Sequence, residues 1–241
     1  QTVTLRKNSY VRTDYNFVEW NTKADGSGKA FKNGAEVSNL TTQDNALVHL
    51  YARWAKIEYK VFFDANGGTG TVTVKAEGSI SATCTSEWCS VSASGNTSIT
   101  ICRYDKYPKL PSAPTPPVGY TFLGWFTGKT DGSEIKEGME FNHTSNITLY
   151  AHYGLAEYTV RFDANGGYGS DYIADYRLKV NYGKTYGTYG KLPSGIKHPD
   201  GYPFRGWETA EGRYIDASAT VDKNYNHTLY AHWRTNGIKV S

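Results

Sequence analysis

Short segments recur along this chain in a fixed order, and this repetition limits its fold more than any other feature. Residues 59–68, YKVFFDANGG, return as YTVRFDANGG at 158–167. Two further segments occur three times each, one of the pattern GYxFxGW and one of the pattern LYAxW. The first stands at 14–20, 119–125 and 201–207, and the second at 50–54, 149–153 and 229–233. Repeats in constant order predict small tandem modules rather than one large domain.

The repeats divide the chain into three predicted units. Residues 1–55 form a unit that lacks its opening strand, and residues 56–154 and 155–241 form complete units. The second unit carries an insertion at about 70–102, which includes all three cysteines. An absent opening strand leaves a sheet edge unpaired. We therefore expect the chain to be a fragment of a longer protein.

Each repeated block has a pattern typical of a β-strand or a turn. Tyr158, Val160 and Phe162 alternate with polar residues, which indicates a strand with one buried face. Asn165-Gly166 follows and tolerates the positive φ of a tight turn. The endings alternate likewise, and we expect their tryptophans to touch those of the GYxFxGW segments. The predicted contacts are Trp20 with Trp54 and Trp207 with Trp233. Each unit is therefore predicted to be mainly β, with at most a helical turn.

The ordered blocks resemble the Listeria-Bacteroides repeat family. The resemblance also includes KLP at 109–111 and 191–193 and NTKADGSG at 21–28. It implies a small α+β module of the β-grasp, ubiquitin-like type, repeated along secreted or wall-anchored bacterial surface proteins. The chain departs from the family pattern at Asp14 and Glu19, where glycine is usual, and at Tyr153, where tryptophan is usual.

Charge and hydropathy argue against two classes of partner. The chain has 26 Lys and Arg against 23 Asp and Glu, and the basic residues are scattered along it. Nucleic-acid binding needs a concentrated basic patch, so it is not expected. No stretch approaches the roughly 20 apolar residues of a membrane helix, so membrane insertion is not expected either.

The cysteines leave several pairings open. Cys84 and Cys89 bracket a short loop that a disulfide could close in an oxidising setting. Pairing of either one with Cys102 is the alternative. Cys102 aligns with the core-facing Val180, so a buried thiol is the simpler expectation for it. No histidine or basic cluster lies beside these cysteines in the sequence to activate a thiol.

No motif indicates catalysis, a metal or a cofactor. The six histidines fit repeated structural positions, and the acidic residues recur at turns, which favours a role in the fold. The DANGG segment could offer oxygen ligands to calcium, but it lacks the glutamate of an EF-hand loop. A turn is therefore the preferred interpretation, and we expect a protein that is not an enzyme.

Recognition is expected where the units differ, and exposed aromatic side chains suit that role. The candidate ligand contacts are Trp88 in the insertion and a tyrosine group in the third unit, Tyr168, Tyr172, Tyr176 and Tyr186.

The predicted function is a non-catalytic extracellular repeat region that acts as a spacer or stalk and makes adhesive contacts. The expected partner is a host or cell-wall glycan or a surface protein, and the fragment is expected to be monomeric. Its setting would be secreted or anchored to the cell wall. The alternative is a carbohydrate-binding module of a secreted enzyme.

Overall fold

A computed structural model describes residues 2–43, 46–69, 72–75, 88–91, 97–169, 173 and 176–234, without the side chains of 72–75, 88–91 and 97. The strands of the first repeat are β1 (Thr2–Thr4), β2 (Tyr15–Asn21), β3 (Ala30–Phe31), β4 (Glu36–Ser38) and β5 (Tyr51–Lys56). Those of the second repeat are β6 (Glu58–Asp64), β7 (Val72–Lys75), β8 (Trp88–Val91), β9 (Thr97–Cys102), β10 (Tyr120–Phe126), β11 (Glu134–Ile135) and β12 (Ile147–Leu155). The third repeat has β13 (Glu157–Asp163), β14 (Arg177–Asn181), β15 (Phe204–Glu208), β16 (Tyr214–Ile215), β17 (His227–Trp233) and a 3-10 helix, η1 (Tyr186–Tyr189).

The two complete repeats share one sheet topology. In the third repeat the strand order is β14-β13-β17-β15-β16, and in the second it is β9-β6-β12-β10-β11. The opening strand pairs in parallel with the closing strand, and antiparallel with β14 in the third repeat and with β9 in the second. The predicted mainly β fold is confirmed, and this arrangement is compatible with a β-grasp module.

The first repeat has a smaller main sheet. Its order is β3-β2-β5, so β5 is an edge strand among the described residues. A separate antiparallel pair, β1-β4, joins the start of the first repeat to the segment between its GYxFxGW-like block and its LYAxW block. The insertion of the second repeat contains a two-stranded antiparallel sheet, β7-β8.

A tryptophan of the GYxFxGW segment stands at the centre of each complete core. The Trp207 ring lies 4.8 Å from that of Phe162, and its Nε1 donates to the Pro193 carbonyl at 2.8 Å. In the second repeat Trp125 makes the same contacts, at 5.0 Å to Phe63 and 3.1 Å to a proline carbonyl. Both tryptophans are almost fully buried.

The predicted contacts between tryptophans are wrong, because a phenylalanine lies between the members of each pair. Phe204 is 5.4 Å from Trp207 and 5.7 Å from Trp233. A register shift between Phe204 and Gly206 puts Phe204, rather than the next residue, opposite Trp233. Phe17 occupies the same position in the first repeat, with the same kind of shift after it. The extra residue of a bulge changes which side chains meet across the strands.

The DANGG segments form turns that their own side chains hold. The Asn165 N–H donates to Asp163 Oδ1 at 2.8 Å, and the Asn165 side-chain amide donates to the Ala231 carbonyl at 3.1 Å. Asn165 and Gly166 have φ values of 49° and 84°. The second repeat has the equivalent contacts. Here the acidic oxygen accepts a hydrogen bond within the turn, in agreement with the turn interpretation.

The chain divides into two compact units that do not follow the repeat boundaries. One comprises Gln1–Asn66, Gly70–Ala113 and Trp125–Ala151, and the other comprises Gly67–Thr69, Pro114–Gly124 and His152–Ser241. The division into repeats at 1–55, 56–154 and 155–241 stays a prediction about domains.

Candidate functional site

The third repeat has an open groove of about 500 Å³ beside its opening strand. Arg161 on β13, Arg177 on β14 and Thr228 on β17 line it, together with Tyr168 from the loop that follows the DANGG turn. The alternation of β13 places Arg161 on the face opposite Val160 and Phe162, which are buried. Arg161 therefore lies on the outer face of the sheet, while the core residues Phe162 and Ile173 also line the groove.

Two arginines stand directly opposite each other in this groove. Arg161 and Arg177 are cross-strand partners in the β13-β14 pair, and both are exposed. Like charges in that position destabilise a sheet. The groove also contains the carboxylate of Asp163, but one of its oxygens already accepts the Asn165 N–H. Arg177 Nη1 donates to the Tyr176 carbonyl at 2.9 Å, and both guanidinium groups belong to residues that line the groove.

Of the predicted tyrosine group, Tyr168 is the one that lines the groove with a large exposed surface. Its side chain is 57% exposed, while its backbone is fixed by hydrogen bonds in both directions with Lys197 at 2.7 Å. Tyr176 is half-buried, with its ring 5.5 Å from that of Phe162. Tyr172 lies outside the described residues. Tyr168 therefore places an exposed aromatic side chain beside the arginine pair, on a backbone that two hydrogen bonds fix.

Tyr186 belongs to the core instead. It has no exposed surface, and its hydroxyl lies 2.7 Å from His227 Nε2. Burial raises the pKa of Tyr186 to about 12, so the phenol is neutral at physiological pH. This burial removes Tyr186 from the candidate contacts. The glycine-rich sequence around it does not reveal that η1 turns its ring inward.

Tyr107 holds the equivalent position in the second repeat, but its hydroxyl lacks a counterpart of the contact that Tyr186 makes with His227. Its hydroxyl is buried and makes no hydrogen bond among the described residues. Ile147 stands where His227 stands in the third repeat, since each faces the same position of its parallel opening strand. Burial raises the pKa of Tyr107 to about 12. The two repeats thus differ in one buried hydrogen bond.

The join between the first and second repeats, at Ile57, is held by one backbone hydrogen bond and two ion pairs. The Ile57 N–H donates to the Asp14 carbonyl at 2.9 Å. Asp14 has a φ of 63°, and its carboxylate lies 3.2 Å from Arg103 Nη1. The hydrogen bond that Arg103 donates to the Asp14 carboxylate raises the pKa of the guanidinium above its ordinary value. Lys56 and Asp105 form the second pair, at 2.8 Å.

The second join repeats the backbone bond with different side chains. The Ala156 N–H donates to the Gly119 carbonyl at 2.8 Å, and Asn181 donates to the Ala156 carbonyl at 2.8 Å. Gly119 has a φ of 82°, at the position that Asp14 occupies in the first repeat. A Cβ on Gly119 would lie 2.8 Å from the Cβ of Tyr182. Asp14, which stands where the family usually has glycine, thus keeps the positive φ of Gly119 and adds a negative charge.

The cysteine expectations need correction. Cys102 is buried and disulfide-bonded, so it is not a free thiol. It stands at the position of Asn181, one residue beyond the alignment with Val180 that the sequence suggests. The pairing of Cys84 with Cys89 stays a prediction. The side chains of Cys84 and Cys89 lie outside the described residues.

Trp88 begins β8 and stands opposite Lys75 in the β7-β8 pair, but its side chain also lies outside the described part of the chain. Within that part, no three His, Cys, Asp or Glu side chains are grouped so that they could hold a metal ion. No helix among the same residues has the length and apolar character needed to cross a membrane.

The repeated blocks agree with a known family along most of the chain. The family model of the Listeria-Bacteroides repeat domain matches residues 1–52, 91–152 and 158–232. The chain belongs to the Listeria-Bacteroides repeat family. The predicted resemblance is confirmed, and the gap in the match between 52 and 91 includes most of the predicted insertion.

Proteins of two bacteria are similar to these Listeria-Bacteroides repeats. The chain is 28% identical over 248 residues to a protein of Evansella cellulosilytica described as a Gly-rich membrane protein, covering 98% of the chain and 22% of that protein. It is 32% identical over 144 residues to internalin H of Listeria monocytogenes, covering 58% of the chain and 23% of internalin H. The chain thus spans less than a quarter of the length of these relatives. No solved structure matches it.

The arginine pair of the third Listeria-Bacteroides repeat is the feature that sequence reasoning missed. Position 161 in YTVRF is arginine, whereas the matching residue in YKVFF is Phe62. That difference was visible in the sequence. The sequence did not show that Arg177 lies opposite Arg161, because the number of residues between the turn and the next paired strand differs from repeat to repeat.

Proposed function

We propose that this chain is a non-catalytic repeat region of a bacterial surface protein, secreted or anchored to the cell wall, in which it acts as a spacer. Membership of the Listeria-Bacteroides repeat family supports this proposal, as do relatives described as an internalin and as a membrane protein. The observation that supports the spacer role most directly is the structure of the two joins between repeats, at Ile57 and Ala156. Both are closed by an equivalent backbone hydrogen bond.

Short linkers reinforce this argument. One residue, Ile57, separates β5 from β6, and one residue, Ala156, separates β12 from β13. A single residue has two soft dihedral angles, and a hydrogen bond from its N–H restricts them further. The first join thus restricts the motion of the second repeat relative to the first, as a spacer requires.

Single-molecule fluorescence can test the first join. Dyes are attached at Lys23 and Lys129 of the full chain through unnatural amino acids, which leaves the disulfide intact. We expect a narrow distance distribution that broadens in a variant with Arg103→Ala and Lys56→Ala. Lys136→Ala, which removes an exposed ion pair within the second repeat, is the matched control. A native distribution already as broad as that of the double variant would contradict the spacer role.

The groove of the third repeat favours a second function, adhesion to an anionic glycan. Two opposed guanidinium groups suit carboxylate or sulfate groups, which arginine binds through paired N–H donors. Tyr168 adds an exposed aromatic surface next to them, of the kind that stacks on sugar rings. Repetition along a surface protein would then multiply weak contacts by avidity.

Calorimetric titration with sulfated and sialylated oligosaccharides tests this adhesion. Binding should weaken at least tenfold in a variant with Arg161→Gln and Arg177→Gln, and salt should weaken it further. Lys191→Gln, an exposed cation of the same repeat outside the groove, is the control and should have little effect. An equal loss of affinity in both variants would show that the binding is general charge attraction and would contradict a specific site in the groove. The alternative of a carbohydrate-binding module predicts that neutral glycans bind and that Tyr168→Ala abolishes the binding.

A further inference from the structure

A second groove adjoins the one that holds the arginine pair of the third repeat. Its volume is about 310 Å³, and it shares Arg161 and Thr228 with the first groove. These two residues are neighbours in the parallel register of β13 and β17. Along β13, Thr159 lines the second groove and Asp163 lines the first. The two grooves therefore extend in opposite directions from Arg161 and form one continuous surface.

Apart from Arg161, the second groove is polar and uncharged. His227 lies in it, and its Nδ1 is 3.0 Å from the Tyr225 carbonyl, which can only accept a hydrogen bond. Nδ1 therefore carries the hydrogen, and Nε2 accepts the Tyr186 hydroxyl at 2.7 Å. The neutral imidazole satisfies both contacts. The half-buried Thr159 and Thr228 add hydroxyls that both donate and accept hydrogen bonds, which suits the hydroxyl groups of an uncharged sugar.

Positive charge is concentrated at the point where the two grooves meet. Among the described residues that line the grooves, the cationic ones are Arg161 and Arg177. Lys179 stands beside Thr159, but it forms an ion pair with Glu157 at 3.2 Å. Asp163 adds a carboxylate to the first groove. The surface thus suits a ligand with one acidic group at the arginines and an uncharged unit next to it.

The second repeat has the framework of this groove without its lining. Asn226 Oδ1 accepts the Thr159 N–H at 2.8 Å, and Asn146 Oδ1 accepts the Lys60 N–H at the same distance. The asparagine therefore has a structural role common to both complete repeats. The side chains around it differ: Thr159, Arg161 and His227 of the third repeat correspond to Lys60, Phe62 and Ile147 of the second. The combination of an arginine with uncharged polar groups is specific to the third repeat.

We propose that the third repeat binds an oligosaccharide in which an acidic sugar is joined to an uncharged one. The acidic group lies at Arg161 and Arg177, and the uncharged sugar occupies the second groove, where Thr159 and Thr228 contact its hydroxyls. This inference rests on the adhesion to an anionic glycan proposed above, and it adds a second sugar site and a requirement for an uncharged neighbour. The volumes of the two grooves, about 500 and 310 Å³, lie within the range of roughly 300–1,000 Å³ found for ligand sites.

Heteronuclear NMR titration of the full chain with three sugars tests the proposal. The sugars are glucuronic acid, a disaccharide of glucuronic acid and N-acetylglucosamine, and a dimer of galacturonic acid. We expect the mixed disaccharide to bind about tenfold more tightly than glucuronic acid, because the threonine hydroxyls add hydrogen bonds to the uncharged sugar. It should also bind more tightly than the galacturonic acid dimer, since the second carboxylate of the dimer gains no cation of its own. General charge attraction predicts the opposite order for the two disaccharides.

A variant with Thr159→Val and Thr228→Val removes both hydroxyls and keeps the branching at Cβ. In this variant the affinity for the mixed disaccharide should fall to that for glucuronic acid, and the affinity for glucuronic acid should not change. Thr148→Val, at the position of the second repeat that corresponds to Thr228, is the matched control and should change neither affinity.

The outcomes separate this inference from the adhesion on which it rests. Equal affinities for glucuronic acid and the mixed disaccharide would leave the adhesion intact and overturn the second sugar site. Tighter binding of the galacturonic acid dimer would overturn it too, as would a variant that loses affinity for glucuronic acid as much as for the disaccharide. Binding of none of the three sugars also overturns it, and the calorimetric titration with sulfated and sialylated oligosaccharides then decides separately whether the groove binds anionic glycans.

Discussion

Tyr107 and Tyr186 offer a matched pair of substitutions for which we expect opposite signs. Each ring is fully buried at the same position of its repeat, but only the Tyr186 hydroxyl has a partner, His227 Nε2 at 2.7 Å. The Tyr107 hydroxyl has none among the described residues. Replacement by phenylalanine removes one oxygen and leaves the ring in place, so packing changes little in either case.

The magnitudes follow from the cost of buried polar groups. Tyr186→Phe removes a hydrogen bond and leaves His227 Nε2 without its partner, while Nδ1 keeps its contact with the Tyr225 carbonyl, and the loss costs roughly 0.5–1.5 kcal/mol of stability. Tyr107→Phe removes a buried hydroxyl whose lost hydration is not compensated, a penalty of about 1–3 kcal/mol. We therefore expect Tyr107→Phe to raise the free energy of unfolding by about 1 kcal/mol and Tyr186→Phe to lower it by about the same amount.

Urea unfolding, monitored by circular dichroism and tryptophan fluorescence, measures both changes. A third variant, His227→Ile, gives the third repeat the residue of the second and should make Tyr186→Phe neutral or stabilising in its background. If Tyr107→Phe destabilises the protein as much as Tyr186→Phe does, the Tyr107 hydroxyl has a partner and the reasoning is refuted.

Three further outcomes are expected. Gly119→Ala should destabilise the second join by roughly 1–2 kcal/mol, because a side chain at φ 82° is strained and its Cβ would meet Tyr182; thermal unfolding that matches the native chain would contradict this. Asp14→Gly should change stability by less than about 1 kcal/mol, because glycine adopts the same positive φ without strain and a single partly exposed ion pair contributes little; a larger loss in urea unfolding would show that the Asp14–Arg103 pair is essential. Stability should fall as the pH rises from 10 to 12, because burial raises the pKa of Tyr107 to about 12 and the unfolded phenol loses its proton near 10.0; Tyr107→Phe should flatten that slope in a pH series of urea midpoints, and an unchanged slope would contradict the assignment.

Features with local causes were readable from the sequence. The alternation of Tyr158, Val160 and Phe162 predicts strand β13 and its buried face, and Asn165-Gly166 predicts the turn after it. Both depend on residues adjacent in the chain. The order of the repeated blocks identifies the family for the same reason, since it needs no knowledge of which strands pair.

Features that depend on pairing between distant segments required the tertiary structure. A bulge puts Phe204 between Trp207 and Trp233, and a one-residue difference in register places Cys102 at the position of Asn181. Such shifts leave no mark on the local pattern, yet each one changes every contact across the strands.

The sequence by itself determined that this protein is a series of mainly β repeats of one family, because alternation, turn residues and block order are properties of neighbouring residues. Only the tertiary structure decided which side chains are exposed on the surface and which stay in the core. It brought Arg161 opposite Arg177, turned Tyr186 inward and left a groove beside Trp20. These outcomes depend on strand register and on loops of different length, which together set the neighbours of each side chain in space.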